Sequence, residues 1–74
     1  MTLQAIKDYV SMEHVDHSKT KLTRVFLKRN EIFTGQFLAA NQTEVLMNQN
    51  KWVLTVGGDS LILDGDDIDK LKVG

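Results

Sequence analysis

Four side chains in one short polar stretch are of the types that metal chemistry uses: Glu13, His14, Asp16 and His17. Histidines at i and i+3 can share a helix face, and neighbouring carboxylates could complete a coordination shell. A chelate needs three or four fixed ligands with a supporting second layer of hydrogen bonds. EHVDHSKT, residues 13–20, reads instead as a solvated connector, and short patterns of this kind carry a high false-positive risk. A second acidic group, Asp64, Asp66, Asp67 and Asp69 around Gly65, is faintly like a calcium loop. It lacks the closing bidentate Glu and the glycine placement of an EF-hand, so it reads as a solvated acidic turn. Ser18 and Ser60 lie near acids but on no nucleophile elbow. The chain has no cysteine, no Gly-rich phosphate loop and no recognisable pair of buried carboxylates. These residues point away from an enzyme and require no cofactor.

The chemistry that remains is binding. Residues 22–29 alternate as a strand, with Val25 and Leu27 on one face and Arg24, Phe26 and Lys28 on the other. Arg29 follows directly. A ring exposed between cations suits single-stranded nucleic acid, because bases stack on the ring while the cations follow the phosphates. The simpler reading is one phenylalanine packed beneath a neighbouring helix, since single aromatic residues usually pack.

The chain that must position these groups is short. Its 74 residues make one domain, and so small a core leaves little stability margin. Disulfides are excluded, and no Cys/His spacing of a structural zinc site occurs, so self-association is the expected supplement. No membrane-length apolar run or export signal is evident, which makes the cytoplasm the expected location. Asn41-Gln42-Thr43 fits a glycosylation sequon but carries no weight without secretion. The net charge is −1, unevenly spread. Residues 1–51 hold seven Lys or Arg against five Asp or Glu, and residues 52–74 hold two against five. In a ring of copies this polarity would give one basic and one acidic surface.

The elements follow from spacing. Thr2 caps a helix over residues 1–12, with Leu3, Ile6 and Val10 as its apolar stripe. Residues 13–21 connect it to a β region over residues 22–73. Asn30-Glu31 makes the first tight turn, since Asn tolerates the left-handed conformation. A second strand runs from Ile32 to Ala40, with Phe33 and Phe37 on one face and Gly35 between them. Glycine inside a strand marks bending or close backbone approach, and bending is the reading preferred for a sheet this short. Asn41-Gln42 turns the chain, and Thr43–Asn48 is expected as a third strand. Lys51–Val56 forms the next, with Trp52 in the core or at a subunit interface. Gly57-Gly58-Asp59-Ser60 is a strong turn signal. Leu61–Leu63 is a short strand, and Ile68, Leu71 and Val73 suggest a last strand or a helical turn.

This order of parts resembles the Sm and Sm-like (Lsm, Hfq-like) family over about residues 22–64. Val25 and Leu27 match the family's first strand, Asn30 its turn glycine, Gly35 its mid-strand glycine and Phe37 the hydrophobic residue after it. Asn41 stands where Asp is usual, and Val45-Leu46-Met47 resembles the Hfq-like third strand. VGGDSLIL, residues 56–63, is similar to the second Sm motif with Gly57 at the Arg position; LILDGDDI offers another register. The resemblance implies a mainly β fold: a short N-terminal helix, then a small, strongly bent five-stranded SH3-like (Sm-type) barrel. It implies a homo-oligomeric ring of roughly five to seven copies, closed by pairing of fourth and fifth strands. It also implies single-stranded RNA as the ligand, with uridines bound near the pore.

The pore-side pocket departs from the family pattern. Asn41, Thr43, Val45 and Gly57 occupy its positions, so both stacking group and cation are missing. Stacking supplies about 1–3 kcal/mol per base, so tight uridine binding is not expected there. The opposite face keeps Phe26, where Hfq-like proteins carry an aromatic that stacks on purines in A-rich RNA. The expected RNA contacts are therefore Arg24, Phe26, Lys28 and Arg29, with weaker ones from Asn41 and Thr43. The alternative is an Sm-like ring that has lost RNA binding and serves as a scaffold or protein-interaction module. A third reading is an unrelated SH3-like barrel that docks on a protein as a monomer.

Overall fold

The computed structural model describes residues 1–12, 20–38 and 40–74. It is mainly β: five antiparallel strands, two short α-helices and one 3-10 turn. Helix α1 spans Leu3–Met12. Strand β1 is Thr23–Leu27 and β2 is Ile32–Phe37. Helix α2 covers Ala40–Asn48, followed by β3, Lys51–Val56, and β4, Asp59–Asp64. The 3-10 turn Gly65–Asp67 leads into β5, Ile68–Val73. The strand order is β4-β3-β2-β1-β5, with β4 and β5 at opposite ends. The sheet is therefore not closed into a barrel by strand pairing.

The first helix forms as its stripe predicts. The Thr2 hydroxyl accepts from the Ala5 amide at 3.2 Å, an N-cap contact. Ile6 and Val10 are buried in one cluster with Val25 and Leu27, and Leu3 packs against it. The Tyr9 hydroxyl meets the Thr23 hydroxyl at 3.0 Å. Thr23 is fully buried on the inward face of β1, so α1 lies against that face.

Strand β2 serves two partners. Its first four residues pair with β1, ending at Thr23↔Gly35, while Gln36 and Phe37 pair with Thr55 and Leu54 of β3. Gly35 sits at the handover. A Cβ there would collide with the Thr55 carbonyl oxygen. The glycine thus permits both a change of partner and a close backbone approach; the sequence favoured bending alone.

Besides the closed barrel, which the open strand order does not form, one expected strand is overturned. Residues 43–48, expected as a strand after an Asn41-Gln42 turn, belong to α2. Met47 is buried, while Val45 is 72 % exposed. Gln49 and Asn50 amides donate to the Leu46 and Met47 carbonyls at 3.0 and 2.9 Å, and Asn50 takes a left-handed φ of 57°. This is a helix end with Asn in the role that glycine often fills. Periodicity cannot distinguish a strand from a helix in an apolar run as short as Val45-Leu46-Met47. Glu44, Leu46 and Met47 are good helix formers. The second strand is correspondingly shorter than expected, ending at Phe37 rather than Ala40.

The turns behave as their residues dictate. Asn30 has a φ of 64°, closing the β1–β2 hairpin with its amide on the Leu27 carbonyl at 3.1 Å. Gly57 and Gly58, at φ 55° and 91°, join β3 to β4. Two positive φ values in a two-residue loop suit the right-handed twist of the hairpin. Asp59 and Ser60, expected in that turn, already belong to β4.

The core is one cluster drawn from every α-helix and strand: Ile6, Val10, Val25, Leu27, Phe37, Met47, Trp52, Leu54, Leu63 and Ile68. Phe37 and Trp52 meet edge to face, with centroids 6.2 Å apart and planes at 75°. Trp52 is therefore a core residue, and its indole N–H donates to Asn50 Oδ1 at 3.0 Å.

Candidate functional site

The outward face of β1 is where the sequence-derived binding residues meet others that lie far away in the chain. In β1, Thr23, Val25 and Leu27 are buried, Arg24 is exposed and Phe26 is half-buried. Period-two alternation produces this division. Phe26 is absent from the core cluster, and α1 packs on the other face of its strand. The expectation of a phenylalanine covered by the N-terminal helix does not describe it.

Strand β5 completes the site. Phe26 pairs with Lys70 and Arg24 with Lys72. The Lys70 ammonium lies 4.8 Å from the Phe26 ring centroid and that of Lys72 lies 5.9 Å from it, both within cation–π range. On the other flank, β2 brings Ile32 beside Phe26 and Thr34 beside Arg24. Ile32 is 58 % exposed, so the aromatic ring continues into an apolar shoulder. Among the described residues, no carboxylate lies within ion-pair distance of Arg24, Lys28, Lys70 or Lys72.

The pairing of β1 with β5 slips by one residue between Phe26 and Leu27. Asp69 is the extra residue at this bulge. Beside it opens a depression of about 250 Å³, lined by Phe26, Leu27, Asn30, Glu31, Ile32, Asp69 and Lys70.

The other sequence-derived residues are placed differently. Lys28 and Arg29 sit in the β1–β2 turn, both exposed. Arg29 is held by Glu31 at 2.7 Å and lies 3.9 Å from Asp67, so its charge is largely answered within the fold. Asn41, expected in a turn, and Thr43, expected in a strand, both belong to α2, and their side chains fall outside the described residues. The Glu13, His14, Asp16 and His17 group also lies outside them. Among the described residues, no set of three or more His, Cys, Asp or Glu is positioned to hold a metal. In the acidic turn, Asp64 caps the 3-10 segment by accepting from the Asp66 amide at 3.0 Å and lies 3.8 Å from Lys51.

Sequence reasoning missed Lys70 and Lys72. The signal was present in KLKV, residues 70–73, which alternates like a strand, but only pairing with β1 shows that both lysines flank Phe26. Among the described residues, no helix is long and apolar enough to cross a membrane. No protein-family model, no curated protein and no solved structure matches this chain.

Proposed function

We propose that this chain is a single-stranded RNA-binding module of the Sm-like kind, whose contact surface is the outward face of β1 and β5. The observation that carries this reading is the grouping of Arg24, Lys70 and Lys72 around Phe26 on that face. The lysines do not block stacking. An exposed cation–π contact is worth roughly 0.5–1 kcal/mol, whereas base–aromatic stacking yields about 1–3 kcal/mol. A base therefore displaces an ammonium from the ring, and the freed lysine meets a phosphate.

The fold is compatible with this reading. Strand β2 is shared by two groups of strands, with Gly35 at the handover, an arrangement that a small SH3-like (Sm-type) barrel left open between β4 and β5 would have. Each end strand leaves backbone groups unpaired, and each exposes an apolar residue, Ile62 on β4 and Val73 on β5. Asp59 and Asp64 mark the β4 end, while Lys70 and Lys72 mark β5. Head-to-tail pairing of β4 with the β5 of a second copy would satisfy both edges and propagate into a ring.

A ring that acts only as a scaffold is the second reading. It is favoured by Gly57, which supplies no cation at the second-motif position, and by α2, which replaces the strand expected over residues 43–48. Fluorescence anisotropy with labelled A-rich RNA, with and without added salt, separates the two. The RNA reading expects saturable binding that weakens steeply with salt and weakens with Phe26→Ala. No binding at low salt, with an intact oligomer by native mass spectrometry, favours the scaffold.

A further inference from the structure

The depression beside Phe26 has a polarity that a stacking platform alone does not require. Its volume of about 250 Å³ is below the range of roughly 300–1,000 Å³ for drug-sized pockets. That scale suits one base better than a whole cofactor. Its lining is apolar at Phe26, Leu27 and Ile32 and polar at Asn30, Glu31, Asp69 and Lys70. The two carboxylates are not equivalent. Glu31 is engaged by Arg29 at 2.7 Å. Asp69 is exposed, and its side chain has no hydrogen-bond or ion-pair partner among the described residues. The bulge that makes it the extra residue opposite β1 brings it to the rim next to Phe26.

We infer that this depression selects the base that stacks on Phe26, and that Asp69 makes it prefer guanine over uracil. The inference rests on the RNA-binding reading above and specifies its ligand. An ionised carboxylate only accepts hydrogen bonds. Guanine's pairing edge presents two adjacent donors, N1–H and the N2 amino group, which match the two carboxylate oxygens in a bidentate pair. Adenine and cytosine each present one amino donor. Uracil presents two carbonyl acceptors flanking one N–H, so a carboxylate facing it meets like partial charges. Specificity then comes as much from rejecting uracil as from holding guanine. Lys70, opposite Phe26, supplies the countercharge that keeps the site from repelling the backbone.

The test uses the full chain and labelled uridine tracts that differ only in one central base: guanine, adenine, cytosine or uracil. Anisotropy should show the guanine tract bound about tenfold more tightly than the all-uridine tract, in keeping with a bidentate base contact. Adenine and cytosine should fall between them. Asp69→Asn replaces one acceptor by a donor and should collapse that ratio towards unity without weakening binding of the all-uridine tract. Glu31→Gln serves as the comparison and should leave most of the ratio in place. Equal binding of all four tracts, or a ratio unchanged in Asp69→Asn, overturns the guanine assignment while the RNA-binding reading stands. No binding of any tract overturns the guanine assignment, and no binding of A-rich RNA at low salt beside it overturns the RNA-binding reading as well. Circular dichroism of each variant confirms that the fold is retained.

Discussion

The two halves of the sheet use the same alternation for different ends. In the half made by the end of β2, β3 and β4, the inward positions carry Phe37, Trp52, Leu54 and Leu63. In the half made by β5, β1 and the start of β2, the inward positions are the smaller Thr23, Val25, Leu27 and Ile68. The outward positions of that second half carry Arg24, Phe26, Lys70 and Lys72. One half therefore supplies the aromatic core and the other displays charge and an accessible ring. Substitutions in the first should cost stability, and outward substitutions in the second should cost binding at nearly constant stability.

The largest expected effect tests the core half. Trp52→Ala removes a buried ring, its edge contact with Phe37 and its bond to Asn50, and should cost about 3–5 kcal/mol. A chain of this length has only about 4–11 kcal/mol in total, so urea unfolding should find the variant largely or wholly unfolded. A small shift would mean that Trp52 does not anchor this half. Gly35→Ala comes next. The added methyl meets the Thr55 carbonyl, part of a strand that cannot easily retreat, and the cost should reach about 1–3 kcal/mol or more.

Phe26→Ala moves the comparison to the display half. Its unfolding midpoint should change far less than that of Trp52→Ala, while RNA affinity falls by about 1–3 kcal/mol. A stability loss equal to that of Trp52→Ala would show that Phe26 is a core residue. Lys70→Gln and Lys72→Gln should each reduce the slope of log affinity against log salt by about 0.7, with unfolding unchanged. The smallest effect is expected for Arg29→Ala, since exposed ion pairs such as that with Glu31 contribute roughly 0–1 kcal/mol. A double-mutant cycle with Glu31→Ala measures it.

Legibility followed the range of the interactions. The helix cap at Thr2, the alternation of β1, the left-handed Asn30 and the Gly57-Gly58 turn depend on neighbours a few residues away, and all could be read directly. The strand expected over residues 43–48 could not, because three adjacent apolar residues fit either geometry. Met47 alone is buried at the core, and Asn50 stops the helix. The basic face was half legible. Arg24 and Phe26 lie on one strand, with Lys28 in the turn just after it, but Lys70 and Lys72 come from a segment whose charge is net negative. Charge counted along the chain assigned them to the acidic end.

The amino-acid sequence by itself determined which residues alternate, where the chain can turn and that no cysteine framework holds it, because these properties are local. Tertiary structure decided which strands meet. Pairing of β5 with β1 set two lysines over Phe26, and the bulge at Asp69 put a carboxylate on the rim of the same depression. Register between strands distant in sequence is fixed by burying Val25, Leu27 and Ile68 together, and no local pattern contains that information.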